Sequence, residues 1–239
     1  MQRYFGRIVD RQVILEEDDV FHLTKVMRAK NGDNIEVVDS STHKSFLAVV
    51  ESTNPLKIVV QEPILKNAEL EEDVTLFFAL AKSDKIEFVI QKATELGTKK
   101  VVLFQGKRSI VKYSEDDFSR KLPRFTTIAK EASEQCHREY IPEISYIKSI
   151  KEITPHLCDI NLFAYELDAG ATNSFDIAFK EKHNSISVII GPEGGFDKEE
   201  AEELQKLGFK NISLGKRILR CETAAVYALS VIAFNLENK

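Results

Sequence analysis

Short runs of apolar and β-branched residues recur close together over roughly the first 65 residues: Ile35–Val38, Phe46–Val50 and Lys57–Val60. Such residues fit a pleated, half-buried surface. Turn signals at Asn31-Gly32-Asp33 and Thr53-Asn54-Pro55 separate the runs. Strands this short and this closely spaced predict a compact barrel, so residues 1–66 read as a small β-rich domain. The acidic stretch Asn67–Asp73 has no periodicity and reads as a linker.

From residue 74 to 239 the pattern becomes one of alternating strands and helices, the grammar of an α/β domain with a parallel sheet. Val74–Ala81 is continuously apolar, as a strand covered on both faces must be. Ile86, Val89, Ile90, Ala93 and Leu96 recur at helical spacing, with Asp84 as the expected cap and Gly97 as the stop. Val101–Phe104 is the next expected strand. Pro123 fits the first turn of a helix carrying Phe125, Ile128, Ala132 and Cys136 on one stripe. Strands are expected at Ile160–Tyr165, Ile186–Ile190 and Asn211–Leu214, with a helix over Lys198–Leu207 capped by Asp197 and ended by Gly208. The last helix, from Glu222 to about Leu236, has almost no polar face. A helix apolar all round must be buried all round, and a second subunit is the simplest cover at the end of a chain.

Composition narrows the class. The 239 residues are 43% hydrophobic and 30% charged, ordinary for a soluble globular protein. Met1–Asp10 carries Arg3, Arg7 and Asp10, unlike a signal peptide, and no apolar run approaches the roughly 20 residues that cross a bilayer. Three widely spaced cysteines, Cys136, Cys158 and Cys221, predict reduced thiols and a cytoplasmic location. The net charge of −5 argues against nucleic acid on average, but Lys82–Lys148 holds 14 Lys and Arg against 10 Asp and Glu, a surplus of 4. A basic face attracts phosphates locally, because the field is screened within ~8–10 Å at physiological salt. A solvated helix face explains the same run, so charge alone decides nothing.

Much chemistry is missing. There is no Gly-x-x-x-x-Gly-Lys-Ser/Thr, no Gly-x-Gly-x-x-Gly and no Gly-x-Ser-x-Gly, which disfavours a Walker-type site, NAD binding and a serine hydrolase. With no Cys-x-x-Cys, no His-Glu-x-x-His and five scattered histidines, no metal is expected.

Two segments depart from what packing alone selects. Ser187–Asp197 runs a buried-type strand straight into Gly191-Pro-Glu-Gly-Gly195 and then a capped helix. Open α/β sheets bind ligands outside the carboxyl ends of their strands, and glycines let backbone N–H groups approach closely there. A tight strand-to-helix connection with its own need for glycine is the competing explanation. In Ser213–Ala225 another strand ends at Gly215, and Ile218 and Leu219 stand between cationic Lys216, Arg217 and Arg220. Apolar side chains on a loop need a reason, and an adenine ring is one. Glu222 and Thr223 then open a helix whose free N–H groups and dipole favour negative charge.

Gly191-Pro-Glu-Gly-Gly-Phe196, Leu214-Gly-Lys-Arg-Ile-Leu-Arg-Cys-Glu-Thr-Ala224 and Ile90-Gln-Lys-Ala-Thr-Glu-Leu-Gly97 together closely resemble the bacterial 16S ribosomal RNA (uracil-N3)-methyltransferase family of the SPOUT superfamily. Glu131–Arg138 followed by Pro142 resembles the family's Glu-Ala-x-Glu-Gln-x-x-Arg stretch. His22–Arg28 and Gly32-Asp33 resemble its N-terminal PUA-like domain. The likeness spans nearly the whole chain. Cys221 stands where the family commonly has threonine, and Glu166-Leu167 where a Glu-Glu pair is frequent.

The resemblance implies a PUA-like β-barrel over 1–66 and a SPOUT α/β domain with a trefoil knot over 74–239, against the general rule that chains do not knot. It implies S-adenosylmethionine held by three loops, matching Phe163, Ala164, Tyr165 and Glu166; Ile190, Gly191, Pro192, Glu193, Gly194 and Gly195; and Leu214, Gly215, Ile218 and Leu219, with Thr223 beside them. It implies a homodimer through the knot region and the C-terminal helix. The substrate it implies is a uridine of 16S rRNA near the decoding site, in the small ribosomal subunit. Lys85, Lys92, Arg108, Arg120, Arg124 and Arg138 become expected RNA contacts, with Arg28 reaching from the small domain. Arg220 is a candidate to stabilise charge on the uracil, and Glu222 or Glu193 to accept the N3 proton. Two rivals stand beside this expectation: a related knotted enzyme acting on a ribose 2′-hydroxyl or another base, and a non-catalytic assembly factor that binds RNA.

Overall fold

The computed structural model describes residues 1–165, 175–179 and 183–238. It divides into two units, Met1–Glu69 with Ser133–Tyr140, and Leu70–Ala132 with Ile141–Lys239.

In the first unit, β1 (Arg3–Val9), β2 (Gln12–Leu15), β3 (Asn34–Asp39), β4 (Lys44–Thr53) and β5 (Leu56–Pro63) close into a barrel ordered β1-β2-β5-β4-β3. Every pairing is antiparallel except β1 with β3, which closes the barrel in parallel. Ile35, Val37, Ala48, Val50 and Ile58 alternate along β3–β5 and face one core with Tyr4 and Leu23. Helix α1 (Glu17–Phe21) runs into a π-helical turn, His22–Val26, which delivers Leu23 to that core. β1 escapes sequence analysis because its residues mix charge and glycine, and β2 because it is only four residues long.

Ser133–Tyr140 belongs to this unit although chain order alone assigns it to the other. Arg3 explains part of this: it pairs with Glu36 at 2.8 Å and donates to the carbonyls of His137 and Arg138. His43 stacks on Tyr140 with ring centroids 4.0 Å apart. The Arg138 side chain is 2% exposed and grips Glu69, from the expected linker, at 2.6 Å. An RNA contact by Arg138 is therefore a misreading. A buried guanidinium already neutralised by a carboxylate has no face to offer a phosphate.

The second unit is a six-stranded, wholly parallel sheet ordered β11-β9-β10-β6-β7-β8. Its strands are β6 (Asp73–Ala79), β7 (Lys100–Phe104), β8 (Glu143–Ile147), β9 (Ile160–Ala164), β10 (Ser185–Ile190) and β11 (Lys210–Ile212). Between them run α2 (Ser83–Glu95), α3 (Glu115–Gln135), α4 (Asp176–Phe179) and α5 (Lys198–Lys206), and α6 (Cys221–Glu237) ends the chain. Alternate strand residues feed two cores. One joins Leu76, Phe78, Val188 and Ile190 to Ile86, Val89, Phe125 and Leu229 from the helices. The other joins Phe77, Phe104, Phe163 and Ile189 to Phe196 and Leu204.

Helix ends differ instructively from expectation. Asp84 sits inside the first turn of α2, where it complements the dipole, and Lys82 holds the cap position. Pro123 lies inside α3 instead of opening it. The helix starts earlier because Ser114 and Asp117 exchange hydrogen bonds, Asp117 N to Ser114 Oγ at 3.1 Å and Ser114 N to Asp117 Oδ2 at 3.0 Å. Pro123 is exposed, so the carbonyl it leaves unbonded is open to water. Asp197 caps α5 in a full capping box with Glu200, as expected. Helix α6 is buried along Ala225, Ala228, Leu229 and Ile232, but Tyr227 is 44% and Phe234 66% exposed. A single chain thus leaves one side of this apolar helix uncovered. Among the described residues no helix is long and apolar enough to cross a membrane.

Candidate functional site

β10 is the third strand of the sheet, flanked by β9 and β6, and every residue from Ile186 to Ile190 is buried. A strand so placed ends among the carboxyl ends of its neighbours, where backbone and loops converge. The chain leaves it through Gly191–Gly195, a turn closed by Gly195 N donating to Pro192 O at 2.8 Å. Phe196 then plugs the loop into the core: it is 3% exposed, stacks on Phe104 and meets Phe163 edge-on. A Cβ at position 191 would lie 3.0 Å from the Phe196 ring, so glycine there lets the turn pack closely against that ring. The loop after β7 braces the same turn. Arg108 donates to the Gly194 carbonyl at 3.0 Å, and the Lys107 backbone N–H donates to Glu200 at 2.9 Å.

The second wall is the Leu214–Arg220 segment, between β11 and α6. Gly215 has φ +100, which a side chain would resist. Ile218 is 80% exposed, and Lys216, Arg217 and Arg220 are exposed with no ion pair among the described residues. The third wall is Ala164 and Tyr165 at the end of β9, where Tyr165 N donates to the Asn211 side chain at 3.3 Å.

Together these loops enclose a cleft of about 660 Å³. Of the residues expected to hold a cofactor, Ala164, Tyr165, Ile190, Gly191, Pro192, Glu193, Gly194, Gly195, Leu214, Gly215, Ile218 and Leu219 line it. Phe163 does not; its side chain is fully buried beneath, supporting Phe196. Thr223 is exposed and off the lining, and Glu166 lies outside the described residues. Arg220, Arg108 and Lys85 also line the cleft. Lys92 instead pairs with Glu95, Arg120 with Asp117 and Arg124 with Glu87. Such exposed pairs are worth ~0–1 kcal/mol and yield readily to a phosphate. Arg28 stands exposed on the barrel unit.

Sequence reading did not anticipate the company Lys85 keeps. Its ammonium lies 2.6 Å from Glu193 and 3.1 Å from Glu222. Burial raises the Glu222 carboxyl, but its own backbone N–H, Lys85 and the Cys221 thiol outweigh that and hold it below the usual range. Burial and the neighbouring Glu222 carboxylate push the Cys221 thiol up to about 11. Both carboxylates and the cation meet only through folding, so spacing along the chain carries no sign of them.

A parallel sheet with a backbone-walled cleft at its carboxyl edge is the setting, and the family follows. An RNA methyltransferase domain model matches residues 68–233 and an RNA methyltransferase PUA domain model residues 15–62, and the chain belongs to this RNA methyltransferase family. More particularly, it is 35% identical to Ribosomal RNA small subunit methyltransferase E of Bacillus subtilis (strain 168), over 99% of this chain and 98% of that one. It is 33% identical to the Mesomycoplasma hyopneumoniae protein of the same name, over 96% and 98%. Its fold matches a Legionella pneumophila methyltransferase solved with its bound cofactor SAM, with a TM-score of 0.86, 26% identity and coverage of 97% and 96%.

Proposed function

We propose that the protein is an S-adenosylmethionine-dependent methyltransferase of small-subunit ribosomal RNA, and that its target atom is N3 of a uridine in 16S rRNA. The observation that carries the cofactor is the cleft. Its volume falls within the ~300–1,000 Å³ of ordinary ligand pockets. The Gly191–Gly195 backbone offers close polar contacts, while Leu214, Ile218 and Leu219 offer an apolar seat for a purine. A relative solved with SAM on the same fold supports this, as do relatives named for ribosomal RNA. The N3 assignment rests on the motifs in Gly191–Phe196 and Leu214–Ala224.

When bound, S-adenosylmethionine supplies a methyl group on a sulfonium. The uridine leaves its stack to reach the cleft. That methyl would pass to N3, whose proton would go to a carboxylate at the cleft, where Glu193 is the candidate beside Glu222. Arg220, exposed at the cleft wall, stabilises the negative charge on the uracil oxygens. Glu222 is poorly matched to take the proton, because its lowered pKa weakens it as a base. Lys216, Arg217, Arg108, Arg120, Arg124 and Lys92 hold phosphates, and Arg28 does so from the barrel unit; such contacts position RNA without choosing the uridine. The two units act as the PUA-like and knotted SPOUT domains, and the uncovered side of α6, Tyr227 and Phe234, meets a second copy in a homodimer. The protein works in the cytoplasm, where its substrate is assembled.

The test supplies radiolabelled S-adenosylmethionine with unmodified small subunits or naked 16S rRNA and digests the product to nucleosides. Label in 3-methyluridine is expected. Label in a ribose-methylated or other nucleoside sinks the N3 assignment, and no transfer to either RNA leaves a binding role in assembly.

A further inference from the structure

Lys85 lies in the first turn of α2, yet its side chain ends in the cleft wall. One ammonium there serves two carboxylates from distant parts of the chain. Glu193 belongs to the glycine loop after β10, and Glu222 to the first turn of α6, which directly follows the Leu214–Arg220 wall. The Lys85 and Glu222 side chains are 20% and 17% exposed, so the contact is only partly screened by water. Glu222 is further fixed by the Cys221 thiol, whose Sγ donates to Glu222 Oε2 at 3.3 Å, and by the favourable end of the α6 dipole. Without a cation between them, two ionised carboxylates brought to one point repel.

Given the proposed reading of the cleft as the S-adenosylmethionine site, we infer that Lys85 is a positioning residue that latches the glycine loop to the start of α6. The latch sets the distance between two walls of the cleft. It also occupies Glu222 with a cation, so that this carboxylate is not free to take the uridine proton. Two of the three ammonium hydrogens are committed, which makes Lys85 a poor phosphate contact.

The latch predicts a pH signature that a general loss of packing lacks. The other titratable and charged groups at the cleft are Cys221, Tyr165, Arg108, Lys216, Arg217 and Arg220. Burial and the Glu222 carboxylate push the Cys221 thiol up to about 11. Glu193 and Glu222 are the two carboxylates that the Lys85 ammonium holds together.

Calorimetry of S-adenosylmethionine binding between pH 5.5 and 8.5 tests this on the full chain. The native protein is expected to bind with nearly constant affinity. Lys85→Met is expected to bind at least tenfold more weakly at pH 8, with the deficit shrinking toward pH 5.5 as one of the unpaired carboxylates takes up a proton. Lys85→Arg, and Lys85→Met combined with Glu193→Gln, are expected to recover most of the affinity. The double variant keeps the question answerable if Lys85→Met alone fails to fold. A Lys85→Met protein that binds normally overturns the latch, as does a pH-independent deficit that neither second variant relieves. A native protein that binds no S-adenosylmethionine overturns the cofactor reading itself, a distinct result.

Discussion

The two principal walls of the cleft are built on opposite plans. Gly191–Gly195 is held from every side: Phe196 anchors it in an aromatic core, Arg108 grips its carbonyl and Lys85 pins Glu193. Leu214–Arg220 is open, with Ile218 80% exposed and its three cations unpaired among the described residues. A braced wall of backbone suits a cofactor of fixed shape, because donors already in place lose little entropy on binding. An open wall of long cationic side chains suits a large and variable surface, which long side chains adapt to and phosphates attract. The contrast assigns geometry to one loop and charge to the other.

Three substitutions break or sharpen that contrast. The largest effect is expected at Gly191→Val, which drives a side chain into the Phe196 ring. Overpacking of this kind costs about 1–3 kcal/mol, or roughly 2–4 °C in Tm per kcal/mol for a chain of this size. Calorimetry should find S-adenosylmethionine binding lost; binding retained at native affinity would show that the loop is not braced as described. Arg220→Ala, on the open wall, should leave Tm unchanged while lowering kcat for labelled methyl transfer about 10²-fold, the usual effect of removing one donor to a developing anion. A fall in Tm there would mean that the open wall is structural after all. Ile218→Ala is expected to do least. An exposed side chain leaves stability within about 0.5 kcal/mol, while the lost apolar contact should weaken cofactor binding by less than about tenfold.

Family membership places these walls in context without replacing their physics. The relatives matched over nearly the full length carry a ribosomal RNA name, and one solved on this fold holds SAM. The substitutions above ask which residues of this chain perform each part of that work.

Much of the second unit was legible because its signals are local. A strand buried on both faces, such as β10, is apolar along most of its length, and Asp197 marks the cap of the helix that follows. The glycines of the first loop stand out for the same reason. β1, β2 and β8 were not legible, since β1 mixes charge and glycine with its apolar residues while β2 and β8 are only four and five residues long. Pro123 misled because the capping pair at Ser114 and Asp117 outweighs one exposed proline. Arg138 misled because its charge looks the same in sequence whether buried or free.

By itself, the order of residues determined the alternation of strands and helices, the backbone-built turn at Gly191–Gly195 and the cationic loop before α6, since each depends on neighbours a few positions away. Only the tertiary structure decided the strand order β11-β9-β10-β6-β7-β8 and the choice of partner for each charge. Arg138 finds Glu69 across 69 positions, and Lys85 finds Glu193 across 108. Those pairings are settled by which side chains the closed chain brings within reach of one another, and no local pattern records that.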